Sequence, residues 1–284
     1  MSDLSYVQSV VLGVVEGLTE FLPVSSTAHL TIAEKLMGLQ VDAPEVTAYT
    51  AIIQLGAIAA TLVYFFRDIV RLAVAWGRGL VGAEARRHHD YALAWAVIVG
   101  SIPVAVVGFA LKRFIEGPLR SLWVIAFALI LWSGVMWLAE KRHAKLLREN
   151  GERGEGTVSV RDGLVIGLVQ CFSLIPGVSR SGATISAGLF RGIDRVTATR
   201  LSFFLSIPAL TAAGLYEGAT TDLSNLGVGQ MGLGIVVAFV VAFASIAWLL
   251  RFVATNTLMP FVWYRIALGA VLIVTLATGV IAAT

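Results

Sequence analysis

Charged residues and cysteine are scarce in this chain of 284 residues. Only 14% of the residues are charged, whereas about 25% is usual in soluble domains. The single cysteine, Cys171, excludes a disulfide framework and a metal cluster built from cysteines. Hydrophobic residues make up 57% even without the 28 glycines, and the mean hydropathy is +0.84. A soluble globule cannot hide so much apolar surface and a disordered chain lacks it, so the sequence predicts a polytopic membrane protein.

Six apolar stretches are long enough to cross a bilayer as helices, which takes about 20 residues each. They are residues 47–66, 91–111, 122–139, 197–217, 231–252 and 261–282. Two further apolar stretches, residues 6–37 and 163–192, contain charged residues, hydroxyl residues and a proline in their middle. A charge deep in a bilayer costs about 3 kcal/mol or more, and a broken helix needs protein or a water-filled cavity around it. We therefore expect an all-α fold of six transmembrane helices plus two re-entrant helix–loop–helix hairpins.

The basic residues are distributed unevenly over the predicted loops. Fifteen of the 21 lysines and arginines lie on one side, in residues 67–90, 140–162 and 191–200 and at Arg251. The other side carries four, which are Lys35, Lys112, Arg113 and Arg120. Cytoplasmic loops are the basic ones, so the first side is predicted to be cytoplasmic. Both termini and the first hairpin then face the periplasm of a bacterial inner membrane, and no cleavable signal peptide is expected, because no positive charge precedes the first apolar run.

The sequence repeats itself weakly. Residues 11–16 match residues 165–170 at a shift of 154, and Pro23 matches Pro176 after a slip of one residue. Each half then holds one hairpin and three spans, and because three is odd, the second half is predicted to be inverted. Inverted repeats with broken helices place a ligand site where the breaks meet. We thus expect one membrane domain, residues 1–284, made of repeats at 1–140 and 162–284 and a cytoplasmic linker at 141–161.

The first hairpin combines carboxylates, hydroxyls and a histidine. Glu16 and Glu20 are four residues apart, so they share a helix face and are able to bind Mg²⁺ or Ca²⁺ through oxygen. They could instead divide roles, one ionised and one protonated, or form a structural pair. His29 shares a face with Ser25 and Ser26, and a hydroxyl beside a base is an arrangement for nucleophilic attack. The alternative, purely structural roles are helix capping by the serines and packing by the histidine.

The second hairpin has a Gly/Ser loop that leads into a helix, at residues 176–184. A helix N-terminus attracts anions, and the guanidinium fork of Arg180 suits a phosphate. Alternatively, the serines cap the helix and Arg180 pairs with a glutamate of the first hairpin. Arg265, just inside the last span, either snorkels to the interface or contacts a lipid phosphate. The predicted phosphate-binding residues are Ser25, Thr27, Gln170, Gly177, Ser179, Arg180, Ser181, Gly182 and Thr184, with Gln54 as a weaker candidate.

These residues resemble the motifs of the undecaprenyl-pyrophosphate phosphatase, or bacitracin-resistance, family. The first family motif, Glu-x-x-x-Glu followed by Pro-Val-Ser-Ser-Thr-x-His, is complete from Glu16 to His29. The second, Pro-Gly-x-Ser-Arg-Ser-Gly-x-Thr, is complete from Pro176 to Thr184. The resemblance implies a membrane hydrolase that converts the C55 isoprenoid diphosphate to the monophosphate carrier of envelope synthesis. It also implies a divalent cation, a site open to the periplasm and bacitracin resistance.

The expected partners are the lipid substrate and membrane lipids, without nucleic acid, and a homodimer is left open. The catalytic residues expected are Glu16, Glu20, Ser26, His29 and Arg180, with the first two also binding the metal. The attacking group is open between Ser26, His29 and a water activated by Glu20 or His29. A transporter or flippase of a phosphorylated lipid or anion is the competing class, since inverted repeats suit alternating access. A structural scaffold is a third class, which the buried charges disfavour.

Overall fold

The computed structural model describes residues 4–41, 43–111, 114, 119, 121–220 and 227–282, and the ordered elements in them are helical. The α-helices of this part of the chain are α1 Tyr6–Thr19, α2 Ser26–Leu36, α3 Pro44–Tyr64, α4 Phe66–Val81, α5 His89–Ala110, α6 Leu122–Asn150, α7 Val160–Gln170, α8 Arg180–Phe190, α9 Arg195–Thr220, α10 Val228–Thr255 and α11 Met259–Ala277. Five of them, α3, α5, α6, α10 and α11, are long and apolar enough to cross a membrane. The chain is an all-helical, multi-pass membrane protein.

The sixth predicted span, residues 197–217, lies within α9, which is not among those five. It is a helix of 26 residues, but its first half carries a row of hydroxyl side chains that are all buried. They are Thr197, Thr199, Ser202 and Ser206. The six-span count therefore stays a prediction.

Two helices differ from their predicted bounds. The span expected to end at residue 139 continues as α6 to Asn150, because the charged residues that follow it are good helix formers. The helix ends where Gly151 adopts a φ of 74°, a conformation that glycine takes without steric cost. The loop predicted at residues 67–90 contains the amphipathic helix α4, which buries Leu72 and Gly79. Of the basic residues assigned to the opposite side, Lys112, Arg113 and Arg120 lie outside the described residues.

The two interrupted stretches each form two helices separated by a break. The first break, residues 20–25, joins α1 to α2, and the second, residues 171–179, joins α7 to α8. Each break ends in a serine with positive φ, 79° at Ser25 and 74° at Ser179. Each serine caps the helix that follows, accepting a hydrogen bond from the N–H of Ala28 or Gly182. The interruptions that the sequence predicts are therefore present, and both use the same local geometry.

The first helix of each broken pair packs against a long helix from the other half of the chain. Helix α1 lies against α10, and α7 lies against α5. Glycines allow the close approach: a Cβ at Gly17 would lie 2.7 Å from the carbonyl oxygen of Ala238, and one at Gly167 would overlap the carbonyl of Gly100. The glycines beside Glu16 thus admit another helix. The two breaks are thereby brought to the same level of the molecule.

Candidate active site

A carboxylate of the first break contacts both a hydroxyl and a guanidinium. Glu20 ends α1, one helical turn after Glu16, and both are buried. Ser26 Oγ donates a hydrogen bond to Glu20 Oε2 at 2.6 Å, and Arg180 Nη2 lies 3.2 Å from Glu20 Oε1. Glu20 therefore joins Ser26, the first residue of α2, to Arg180, the first residue of α8. The ion pair between the two hairpins, left open by the sequence, is formed with Glu20.

The imidazole of His29 forms its hydrogen bonds with groups other than Ser26. Its Nδ1 lies 2.7 Å from the carbonyl oxygen of Ser25, and its Nε2 lies 2.6 Å from the hydroxyl of Tyr264 on α11. The His29 and Tyr264 rings are stacked with centroids 5.6 Å apart. A carbonyl only accepts, so Nδ1 carries the proton and Nε2 accepts from the phenol. The sequence predicted His29 beside Ser26, whereas the structure brings the carboxylate of Glu20 to the Ser26 hydroxyl.

The second break supplies Arg180 at the first turn of α8. Ser179 Oγ accepts from the N–H of Gly182 at 3.2 Å, so that N–H is already satisfied within the helix cap. Ser181 Oγ donates to the carbonyl of Leu22 at 3.0 Å, across to the first break. Thr184 Oγ1 lies 2.6 Å from Ser202 Oγ on α9. Ser181, Gly182 and Thr184 are buried, and they hold α8 in place.

A cavity of about 830 Å³ opens at the two breaks, within the size range of ligand pockets. Its polar wall contains Glu20, Ser25, Ser26, Thr27, Gln54, Ser101, Gln170, Ser173, Ser179 and Arg180, together with Gly177. Its apolar wall comes from α5 and α9 and includes Ile102, Phe109, Pro208 and Leu210. Such a lining suits a ligand with an anionic head and an apolar chain.

The structure divides the predicted site residues into two groups. Glu20, Ser25, Ser26, Thr27, Gln170, Gly177, Ser179 and Arg180 line the cavity, and so does the weaker candidate Gln54. Glu16, His29, Ser181, Gly182 and Thr184 are not among its lining residues. Each residue of the second group contacts or flanks a member of the first. Because these residues do not line the cavity, their direct contact with substrate stays a prediction.

Several buried polar atoms at this site have no hydrogen-bond partner among the described residues. They are Glu16 Oε1, the amide oxygen and nitrogen of Gln170, and Nε and Nη1 of Arg180. A buried polar group without a partner is costly, and such groups are satisfied when a ligand or ion binds. Glu16 and Gln170 offer oxygen, which Mg²⁺ and Ca²⁺ prefer, whereas Arg180 offers donors to an anion. The residues present therefore fit a divalent cation and a phosphate.

The location predicted for Arg265 from the sequence is wrong. Its side chain is fully buried, so it neither snorkels to the interface nor lies where it would meet a lipid headgroup. Its guanidinium donates to Ser133 Oγ and to the carbonyl oxygens of Pro23, Leu129 and Gly177. The signal was a lone arginine in an apolar span, but its nearness to the span end favoured the interface. Tyr264, its neighbour, carried no sequence signal beyond its aromatic character.

Comparisons with known proteins identify the family of this chain. The family model described as bacitracin resistance protein BacA matches residues 9–271. The protein named undecaprenyl-diphosphatase 1 of Streptomyces coelicolor is 55% identical over 284 residues, covering 99% of both chains. Undecaprenyl-diphosphatase 1 of Streptomyces avermitilis is 54% identical over 99% of this chain and 100% of its own. The undecaprenyl-diphosphatase of Cutibacterium acnes is 51% identical with the same coverage. With both motifs complete and nearly every residue covered, this chain belongs to the bacitracin resistance protein BacA family.

Proposed function

We propose that the cavity at the two breaks is the active site of an undecaprenyl-diphosphatase. The chain hydrolyses undecaprenyl diphosphate to undecaprenyl phosphate and inorganic phosphate, which recycles the lipid carrier for peptidoglycan synthesis and underlies the family's link with bacitracin resistance. The observation that carries the site is Glu20, bonded at once to Ser26 and to Arg180. A nucleophile, its base and a phosphate-binding group thus converge on one cavity.

Ser26 is the attacking group in this proposal. Glu20 takes the Ser26 proton as Oγ bonds to the terminal phosphorus, and the bond from that phosphorus to the bridging oxygen breaks. Undecaprenyl phosphate leaves, and water then attacks the phosphoserine. As the bond from phosphorus to Oγ breaks, Glu20 returns its proton to Ser26 Oγ, and inorganic phosphate is released with both protons of the water. Arg180 orients the diphosphate, and its unpartnered Nε and Nη1 are the donors for phosphate oxygens. The apolar wall from α5 and α9 receives the first part of the prenyl chain.

A divalent cation completes the proposal. Glu16 is the carboxylate best placed to hold it, because its Oε1 has no partner in the described part of the chain, while both oxygens of Glu20 are engaged. Glu20, one helical turn after Glu16, is the second carboxylate, and the amide of Gln170 offers a further oxygen at the wall of the cavity. The cation, Mg²⁺ or Ca²⁺, neutralises charge on the phosphoryl group when it is bound.

We further propose that the broken pairs α1–α2 and α7–α8 are re-entrant and belong to inverted repeats. The reciprocal packing of α1 on α10 and of α7 on α5 supports the repeat, as do the two cap serines 154 residues apart. That spacing equals the shift between residues 11–16 and 165–170, and it differs by one residue from the shift between the two prolines. The site then opens to the periplasm, and both termini lie on that side.

The test compares Ser26→Ala with Ser245→Ala in purified protein. Ser245 is a buried serine of α10 that, within the described residues, bonds only to the carbonyl of Val241 in its own helix, so its loss leaves the site intact. We expect Ser26→Ala to lower phosphate release by about 1,000-fold or more and Ser245→Ala to change it less than about threefold. A phosphorylated Ser26 peptide from wild-type protein quenched in acid is the expected intermediate. Near-normal phosphate release by Ser26→Ala would contradict attack by Ser26 and would indicate that water attacks the phosphorus directly.

A further inference from the structure

Arg265 is the largest fully buried side chain in the described part of the molecule, and it lies beside both breaks. Its Nη2 donates to the carbonyl oxygen of Gly177 at 2.9 Å, and its Nη1 to that of Pro23 at 3.4 Å. Each carbonyl stands two residues before the cap serine of its break. The guanidinium therefore bonds to the same position in the first and in the second break.

The other bonds of Arg265 fix it to α6. Its Nε lies 3.2 Å from Ser133 Oγ and its Nη2 3.4 Å from the carbonyl of Leu129. The four acceptors are neutral, and the structure records no carboxylate bonded to this guanidinium among the described residues. Burying an arginine without a carboxylate costs several kcal/mol, which hydrogen bonds offset only in part. An ion pair therefore does not account for arginine here in the described part of the chain.

The carbonyls of a break have no helical partner, and so they need one from elsewhere. The planar fork of arginine reaches several acceptors at fixed angles, which the single ammonium of a lysine does not. Gly177 itself lines the cavity, and a Cβ there would lie 2.6 Å from the carbonyl of Ile125, so this stretch is tightly held. Arg265 lies directly behind it.

We propose that Arg265 is a positioning residue of the phosphatase: it ties the two breaks through the carbonyls of Pro23 and Gly177, and so keeps Ser26 and Arg180 directed at the same diphosphate. This inference rests on the proposed active site. Ser26 follows Pro23 by three residues, and Arg180 follows Gly177 by three, so a shift of either carbonyl moves a reacting group. A displacement of about 1 Å is enough to cost about 100-fold in rate.

Arg265→Lys keeps the charge and removes the fork. We expect its kcat per folded molecule to fall by about 10–100-fold, while the Kd of a prenyl methylenediphosphonate, which is not hydrolysed, changes less than about threefold. Arg195→Lys is the matched control. It also replaces a guanidinium by an ammonium and so removes the bidentate bond of Arg195 to Glu140, and it lies outside both breaks. The control should lower the melting temperature and leave kcat per folded molecule unchanged.

Ser133→Ala is the milder second variant, which decides the question if Arg265→Lys does not fold. It removes the acceptor of Nε and leaves the charge, and we expect kcat to fall about 3–10-fold. The proposal is overturned if the folded Arg265→Lys protein, or Ser133→Ala in its absence, retains the wild-type kcat. Failure of the active-site proposal looks different, because Ser26→Ala would then remain active.

Discussion

Two serines in the breaks hold a backbone conformation that residues with a side chain seldom adopt. Ser25 and Ser179 have φ values of 79° and 74°, and among the described residues no others except glycines have a positive φ. Such conformations cost about 1–3 kcal/mol each and persist where the surroundings enforce them. Here the serine hydroxyl caps the next helix, and glycine would lose that bond. Both residues line the cavity, so the strain lies at the site.

His29 is predicted to act through the backbone of Ser25 rather than on the substrate. An asparagine at this position keeps a donor near the place of Nδ1, whereas a glutamine keeps its amide near the place of Nε2. If the bond to the Ser25 carbonyl matters most, His29→Asn retains at least about a tenth of kcat and His29→Gln retains much less. Phosphate release by the two purified variants measures the difference.

Tyr264→Phe is the control for that experiment. The substitution removes only the hydroxyl that donates to His29 Nε2 and keeps the ring. The activity of this variant should therefore resemble that of His29→Asn. Equal and near-complete loss in His29→Asn and His29→Gln would instead make His29 a general base or acid.

At the scale of helices, the site depends on two close packings, α1 on α10 and α7 on α5. Gly167→Ala places a methyl group against the carbonyl of Gly100, and the helices must separate to admit it. Gly134→Ala is the matched control, because no atom lies within 4 Å of a Cβ at that position of α6. We expect Gly167→Ala to destabilise the protein by about 1–3 kcal/mol and Gly134→Ala to be neutral or slightly stabilising. Thermal unfolding in detergent compares them, and equal melting temperatures would contradict the packing.

At the scale of the whole molecule, the basic end is held by ion pairs between the two halves. Glu155, in the linker between α6 and α7, accepts from Arg71 of α4 at 2.6 Å and from Arg200 of α9 at 3.0 Å. Burial alone would raise the pKa of Glu155, but the hydrogen bond from Arg71 and the charges of Arg200 and Arg71 outweigh it and hold that pKa below its ordinary 4.5. Glu155 therefore pairs with two of the basic residues at this end.

Because the pKa of Glu155 is lowered in the folded state, its contribution to stability is present above pH 4.5 and is lost as the pH falls through the lowered pKa. Glu155→Gln should thus reduce the free energy of unfolding by about 1–3 kcal/mol at pH 7 and by progressively less as the pH falls below 4.5. Melting temperatures measured over this pH range test the expectation. Glu149→Gln, at an exposed ion pair on α6, should show almost no such dependence, and a parallel loss in both variants would refute it.

The proposed orientation of the molecule is tested by labelling single cysteines in whole cells, in a Cys171→Ser background. Val228→Cys at the start of α10 and Val280→Cys beyond α11 are exposed and should react with a membrane-impermeant maleimide. Arg86→Cys, between α4 and α5, should react only after the cells are opened, because the basic side is cytoplasmic. Labelling of Arg86→Cys alone in intact cells would reverse the proposed topology.

Composition and spacing were enough to predict much of the molecule. Apolar runs predicted six membrane-crossing helices, and five of them are long and apolar enough in the structure. Charges and prolines inside two other runs predicted both breaks, because neither is tolerated in plain lipid. The motif residues Glu20, Ser26 and Arg180 were expected at one site, and they are in contact. The sequence could not predict the extent of α6 or the existence of α4, since helices continue through charged residues once they leave the membrane.

The sequence alone determined that this is a membrane protein, where its helices break and which family it belongs to, because each follows from residue types at fixed local spacing. Only the tertiary structure decided the partners across the chain. It paired Glu20 with Arg180 and His29 with Tyr264, and it buried Arg265 between the breaks. Those contacts with α11 join residues more than 80 positions apart, and no local pattern encodes which distant carbonyl or phenol a side chain will reach. They depend on how the two halves of the chain pack together.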